Sequence, residues 1–192
     1  MTEWQPLVDF WFLPRGAAGH GAPRAEWFRK SDAFDREIAD RFGDCIARAL
    51  AGGQREWDAE PEGALARVVL LDQFTRNVFR DTPQAFAGDA LALELAGEML
   101  ARGDDQRLLP VQRVFVYLPF EHAEDAQAQT RSVELFERLA SAWPDGASYL
   151  DYARRHREVI DRFGRFPHRN SLLGRASSAE ELLFLAQPGS RF

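Results

Sequence analysis

The polar residues best equipped for chemistry in this chain fall where apolar residues are expected. In ALARVVLLDQFTRNVFR (residues 64–80) Asp72 and Arg76 stand one helical turn apart, with Gln73 and Asn77 on the adjoining edge. At about 100° per residue, Leu65, Val68, Val69 and Phe79 share the Asp72 face, and Leu70, Leu71, Phe74 and Val78 cover most of the opposite one. A helix apolar all round belongs in a core. A carboxylate or guanidinium there is costly unless paired and hydrogen-bonded, so the helix carries either a satisfied internal network or a site that a ligand completes.

Two later segments repeat the conflict. In a helix expected over residues 120–142, one face is His122, Asp125, Ala126, Gln129, Val133, Phe136 and Ala140, polar in its first two turns. In a helix expected over residues 148–163, His156 interrupts the stripe Tyr149, Tyr152, Ala153, Val159, Ile160 and Phe163. The following loop, Arg165-Phe166-Pro167-His168-Arg169-Asn170, is stiffened by Pro167, and Arg175 lies just beyond it.

Two chemistries fit this set. In the first, Asp72 pairs with Arg76 or with an arginine of the C-terminal cluster, and the histidines bond backbone carbonyls, giving a closed buried network. In the second, Asp72, Gln73, Arg76, Asn77, Gln129, Arg165, His168, Arg169, Asn170 and Arg175 form a pocket for a small anion. Guanidinium groups would then grip carboxylate or phosphate in bidentate fashion. His122, Asp125 and His156 are the candidates for acid or base, an unperturbed imidazole titrating near pH ~6.5. Glu121, His122, Glu124 and Asp125 are close in sequence, but no Glu-x-x-His pair, H-E-x-x-H or cysteine ligand set accompanies them, so no metal is assigned. The chain also lacks a glycine-rich phosphate loop and a G-x-S-x-G elbow, and no cofactor is expected.

The elements that must position these residues are helices. Residues 7–13 make a short apolar element, and Ser31 is an N-cap for a helix to about residue 51 whose buried stripe is Phe34, Ile38, Phe42, Cys45 and Ala49. Pro61 suits the first turn of the helix that carries Asp72. After Pro83 a helix with Phe86, Ala90, Leu93, Ala96 and Gly97 inward runs to Gly103, and another covers residues 110–118 before Pro119 bends or ends it. Gly164 is a left-handed stop for the 148–163 helix. Ser177 with Glu180, or Ser178 with Glu181, forms a capping box ahead of Leu182 to Leu185. No segment alternates with period two, so the expectation is an all-α fold of seven or eight helices stacked as antiparallel pairs.

At 192 residues the chain fits one domain, residues 1–192. The single Cys45 reads as a small core residue of a reduced, cytoplasmic protein. The N-terminal stretch is acidic and broken by Pro6 and Pro14, neither a leader nor a membrane span. A net charge of −6 disfavours nucleic acid as the main partner, although arginines crowd the last quarter of the chain.

LDQFTRNVFR (residues 71–80), YLPFEHAED (117–125), RHREVIDRFGRFPHRN (155–170), LGRASSAEE (173–181) and the terminal FLAQPGSRF, with VDFWF near the start and WFRKSDAFD (27–35), together resemble the bacterial domain of unknown function 924 family. The resemblance spans essentially the whole chain. It implies a tetratricopeptide-repeat-like all-α superhelical array, with no activity and no catalytic residues to carry over. Thr75 stands where the family commonly has Pro, and Ala123 where it commonly has Ser. The functional expectation is a helical-repeat-like protein that binds a protein or peptide, its polar interior a satisfied network. The alternative is a small-anion-binding protein or enzyme built on the His/Arg/Asp set.

Overall fold

The computed structural model describes residues 2–190; the last two residues of the terminal FLAQPGSRF motif lie outside them. Among the described residues every regular element is helical and none is a strand. The α-helices are α1 (Gln5–Phe12), α2 (Asp32–Leu50), α3 (Pro61–Val68), α4 (Thr75–Val78), α5 (Asp89–Arg102), α6 (Pro110–His122), α7 (Ala126–Ala142), α8 (Gly146–Phe163) and α9 (Ala179–Leu185). A π-helical stretch, Val69–Phe74, joins α3 to α4, and with that run counted as one rod there are eight helices among the described residues.

Contacts gather into two compact units, one within residues 2–80 and 84–119, the other within 81–83 and 120–190. In the first, an aromatic cluster packs α1 against its neighbours. Trp11 is fully buried and meets Trp27 (6.0 Å), Phe34 (5.9 Å), Phe74 (5.3 Å) and Phe115 (5.6 Å) between ring centroids. The first two are stacked and the last two edge-on, and aromatic pairs of these kinds add about 0.5–1.5 kcal/mol each beyond the area they bury. In the second unit α7 and α8 form an antiparallel hairpin. Phe136 stacks on Tyr149, and Arg154 reaches Glu137 at 2.9 Å.

Local signals act where expected at several ends. The Ser31 hydroxyl accepts from the Phe34 N–H at 3.3 Å, Pro61 opens α3, and Gly164 ends α8 at φ +68°. Ser178 and Glu181 exchange both bonds of the capping box, which is therefore the second of the two pairs the sequence offers.

Other elements differ from the sequence reading. The rod of residues 64–80 is no uniform α-helix: the π stretch shifts the ladder from i→i+4 to i→i+5, and the α-helix stops at Val78. Residues 120–142 are two helices, because α6 continues through Pro119 to His122 and Asp125 caps a fresh start at Ala126. Pro83–Phe86 is a separate 3₁₀ turn, so α5 begins at Asp89 and buries Ala92, Leu95, Ala96 and Met99, whereas Ala90 is exposed. On α2, Ile46 fills the core position and Cys45 is half-buried, its sulfur accepting from Arg48 at 3.4 Å.

Gly88 has a specific steric reason. A Cβ there would lie 2.2 Å from the Leu71 carbonyl oxygen and 2.9 Å from Leu71 Cα, so the backbone ahead of α5 touches the π stretch directly. The Thr75 hydroxyl donates to the same Leu71 carbonyl at 2.8 Å.

Candidate functional site

In the first unit, Asp72 is completely buried yet well supplied with donors. Gln73 Nε2 donates to its Oδ2 at 2.6 Å, and Arg76 Nη1 lies 3.1 Å from its Oδ1 while donating to the Asp72 carbonyl at 2.7 Å. Arg76 continues to Asp89, with Nη1 at 2.8 Å from Oδ1 and Nη2 at 3.2 Å from Oδ2. Burial works against the charged guanidinium, but Asp72 and Asp89 outweigh it and raise its pKa above the ordinary arginine value. Asn77 faces another carboxylate, donating to Asp35 Oδ1 at 2.7 Å, and Arg80 clamps the same Asp35 through Nε (3.0 Å) and Nη2 (3.1 Å). Asp72, Gln73, Arg76 and Asn77 thus belong to two ion-pair clusters that tie the rod to α2 and α5.

The second unit holds the other candidates. Gln129 is fully buried, and its Nε2 lies 3.4, 2.6 and 2.9 Å from the carbonyls of Phe120, Glu121 and Ala123. It therefore caps carbonyls in the last turn of α6 and just beyond it, where the helix ladder ends. Asp125 is the N-cap of α7, its Oδ1 accepting from the Ala128 N–H at 2.8 Å. His156 is 8% exposed; its Nδ1 is 2.9 Å from the Tyr152 carbonyl and 3.2 Å from Glu121 Oε1. Both neighbours are acceptors, so the network assigns the proton to Nδ1. The His122 ring lies 6.2 Å from that of His156, centroid to centroid.

Two carboxylates organise the loop after α8. Glu124 takes the Phe166 N–H at 2.7 Å and a bidentate grip from Arg175, Nη1 at 2.6 Å and Nη2 at 2.9 Å. Burial would raise its pKa, but the bonds from Arg175 and Phe166 and the charges of Arg175 and Arg169 outweigh burial and lower it. Glu181 takes Arg165 through Nε (2.7 Å) and Nη2 (2.9 Å), and the Ser178 N–H at 2.7 Å. Hydrogen bonds from Arg165 first, then from Ser178 and Asn170, bring its carboxyl down to about 2 against burial. Asn170 links the two centres, donating to Ser177 at 3.0 Å and accepting from Arg175 Nε at 3.0 Å. Arg169 donates to the His122 carbonyl at 2.8 Å and lies 4.8 Å over the Phe166 ring. The His168 ring meets Phe184 edge-on at 5.7 Å.

Within the second unit the structure therefore brings together His122, Gln129, His156 and the loop residues, and it adds Glu121, Glu124 and Glu181, which the helical wheel passes over. The four candidates of the π-helical rod are bonded within the first unit. Among the described residues no group of three or more His, Cys, Asp or Glu side chains could hold a metal ion, and no helix is long and apolar enough to cross a membrane.

The described residues make an all-α protein whose arginines pair with carboxylates of the same chain. The chain belongs to the family described as bacterial protein of unknown function (DUF924), whose model matches residues 7–189. A solved structure of a protein of unknown function from Agrobacterium tumefaciens is 40% identical, with a TM-score of 0.85 over 96% of this chain and 97% of that one. Among curated proteins none matches.

Proposed function

We propose that this chain is a cytoplasmic helical binding or scaffold protein, presenting helix faces in a tetratricopeptide-repeat-like array to a protein or peptide. The observation that supports it is the occupancy of its arginines. The guanidinium groups best suited to a small anion already hold carboxylates of the same chain: Arg76 holds Asp72 and Asp89, Arg165 holds Glu181, and Arg175 holds Glu124. A ligand anion would have to displace these charge-assisted hydrogen bonds. The net charge of −6 works against nucleic acid as the partner, and function rests on the surface offered, since the fold alone leaves it open. Selection of peptides from an unbiased displayed library tests the proposal. Saturable binding to one sequence class is expected, and a library in which no peptide binds would reject it.

One observation favours an acid–base role as the second reading. Glu121 and the Tyr152 carbonyl orient the His156 ring through Nδ1, which is how a carboxylate prepares an imidazole for proton transfer at Nε2. A panel of ester and phosphoester substrates tests it. Turnover that drops at least ~100-fold in His156→Gln is expected under this reading, and absence of turnover in the wild type removes it.

A further inference from the structure

In the first unit a cleft of about 620 Å³ lies between α1, the start of α2 and the stretch around Arg24. That volume is in the range of ligand sites. Its walls include Phe10 and Phe34, both half-buried and stacked at 5.3 Å with 17° between planes. Asp9, Glu26 and Glu37 also line it, with Arg24 and Arg41 as the cations.

Both arginines have duties of their own. Arg24 Nη1 donates to the carbonyls of Phe10 (2.7 Å) and Trp11 (2.8 Å), satisfying acceptors at the end of α1. Arg41 lies 4.5 Å over the Phe10 ring and donates to Glu37 at 2.9 Å. Asp9, by contrast, accepts from the neutral Gln5 amide at 2.8 Å, and Glu26 stands 3.8 Å from Arg24 with its side chain 45% exposed. The lining holds three carboxylates, Asp9, Glu26 and Glu37, against two guanidinium groups, and Arg15 outside it acts on Asp9 by charge. Arg41 shows the recognition such a wall provides: an aromatic face below a guanidinium and a carboxylate beside it.

We infer that this cleft binds a basic peptide segment of a partner protein, an arginine side chain entering beside the Phe34 ring, since Arg41 already covers Phe10, with Asp9 and Glu26 as its counter-charges. The inference rests on the binding reading above and names its partner chemistry. The acidic chain as a whole favours approach of such a partner, and the attraction weakens with salt. Arg24 and Arg41 stay on α1 and Glu37, so the entering charge adds to the lining instead of replacing a bond.

The test is titration of the full chain with the capped pentapeptide Gly-Arg-Gly-Arg-Gly, its citrulline counterpart, and acidic and apolar pentapeptides of the same length. Calorimetry gives the affinity and tryptophan fluorescence reports on Trp11, which stacks on Phe34. Saturable binding of the arginine peptide is expected, at least ~10-fold weaker with citrulline and several-fold weaker in Asp9→Asn and in Glu26→Gln. Both substitutions replace cleft-lining carboxylates that are not fully buried, and thermal melts check that each variant folds. Equal affinity for the citrulline peptide, or both variants binding as the wild type does, would overturn the inference. Binding of only the acidic or apolar peptide, or of none, would overturn it while leaving the binding reading to the library selection.

Discussion

The polar clusters of the two units are built from the same groups and do different work. In the first, the charge is buried inside a rod: Asp72 is fully enclosed and its main partners, Gln73 and Arg76, are neighbours on the same helical run. In the second, charge closes a loop: Arg175 reaches Glu124 across 51 positions, and Arg165 reaches Glu181 across 16. A buried local pair leaves an uncompensated charge in a low-dielectric interior when one member is removed. A half-exposed clasp returns its charge to water when broken, and what is lost is mainly the order of the loop. Identical chemistry should therefore carry unequal energies in the two units.

The largest effect is expected from Asp72→Ala. Its removal takes one carboxylate from Arg76, which keeps Asp89 and the residue-72 carbonyl, and leaves the Gln73 amide without its acceptor; it should cost about 3 kcal/mol or more in denaturant unfolding. Native-state hydrogen exchange should place the loss on amides of the first unit; equal acceleration in both units would break the distinction. Next comes Gly88→Ala, where a methyl group must displace the Leu71 carbonyl, at about 3 kcal/mol. A cost under about 0.5 kcal/mol would mean that the π stretch yields to α5. Glu124→Ala should cost about 2 kcal/mol, from losing the Arg175 and Phe166 bonds, with protease sensitivity appearing in residues 165–178. The smallest effect concerns acid. Because the folded pKa of Glu181 lies near 2 and its ordinary value is 4.5, its ionised form stabilises the fold fully above the unfolded value. That contribution fades as pH falls from about 4.5 toward 2. Glu181→Gln should flatten the stability curve across that window, and an unchanged slope would show that Glu181 does not contribute to it.

Much of the first cluster was legible in the sequence because its geometry is local. Spacing of four placed Asp72 beside Arg76, and the apolar residues around them required a buried pair. The π stretch was hidden, since a wheel turned at a constant angle has no means of registering one inserted residue; the close approach of Gly88 became visible only through space. The second cluster was half legible. His156 stood out against its stripe and the 165–170 loop against its polarity, but the carboxylates that answer them, Glu121, Glu124 and Glu181, lie on segments where acids are ordinary. Pairing over 16 to 51 positions leaves no trace in helical spacing. The break between α6 and α7 was missed because Pro119 drew the boundary to itself, while Asp125, a good N-cap residue, marked the true start.

The central claim is that the chain's own carboxylates occupy the arginines that resemble an anion site. Thermal melting with a panel of small carboxylates and phosphates tests it most directly. No member of the panel should raise the melting temperature of the wild type beyond what equal ionic strength does. A concentration-dependent rise of several degrees with one anion, lost in Arg165→Ala and in His122→Ala, would contradict it.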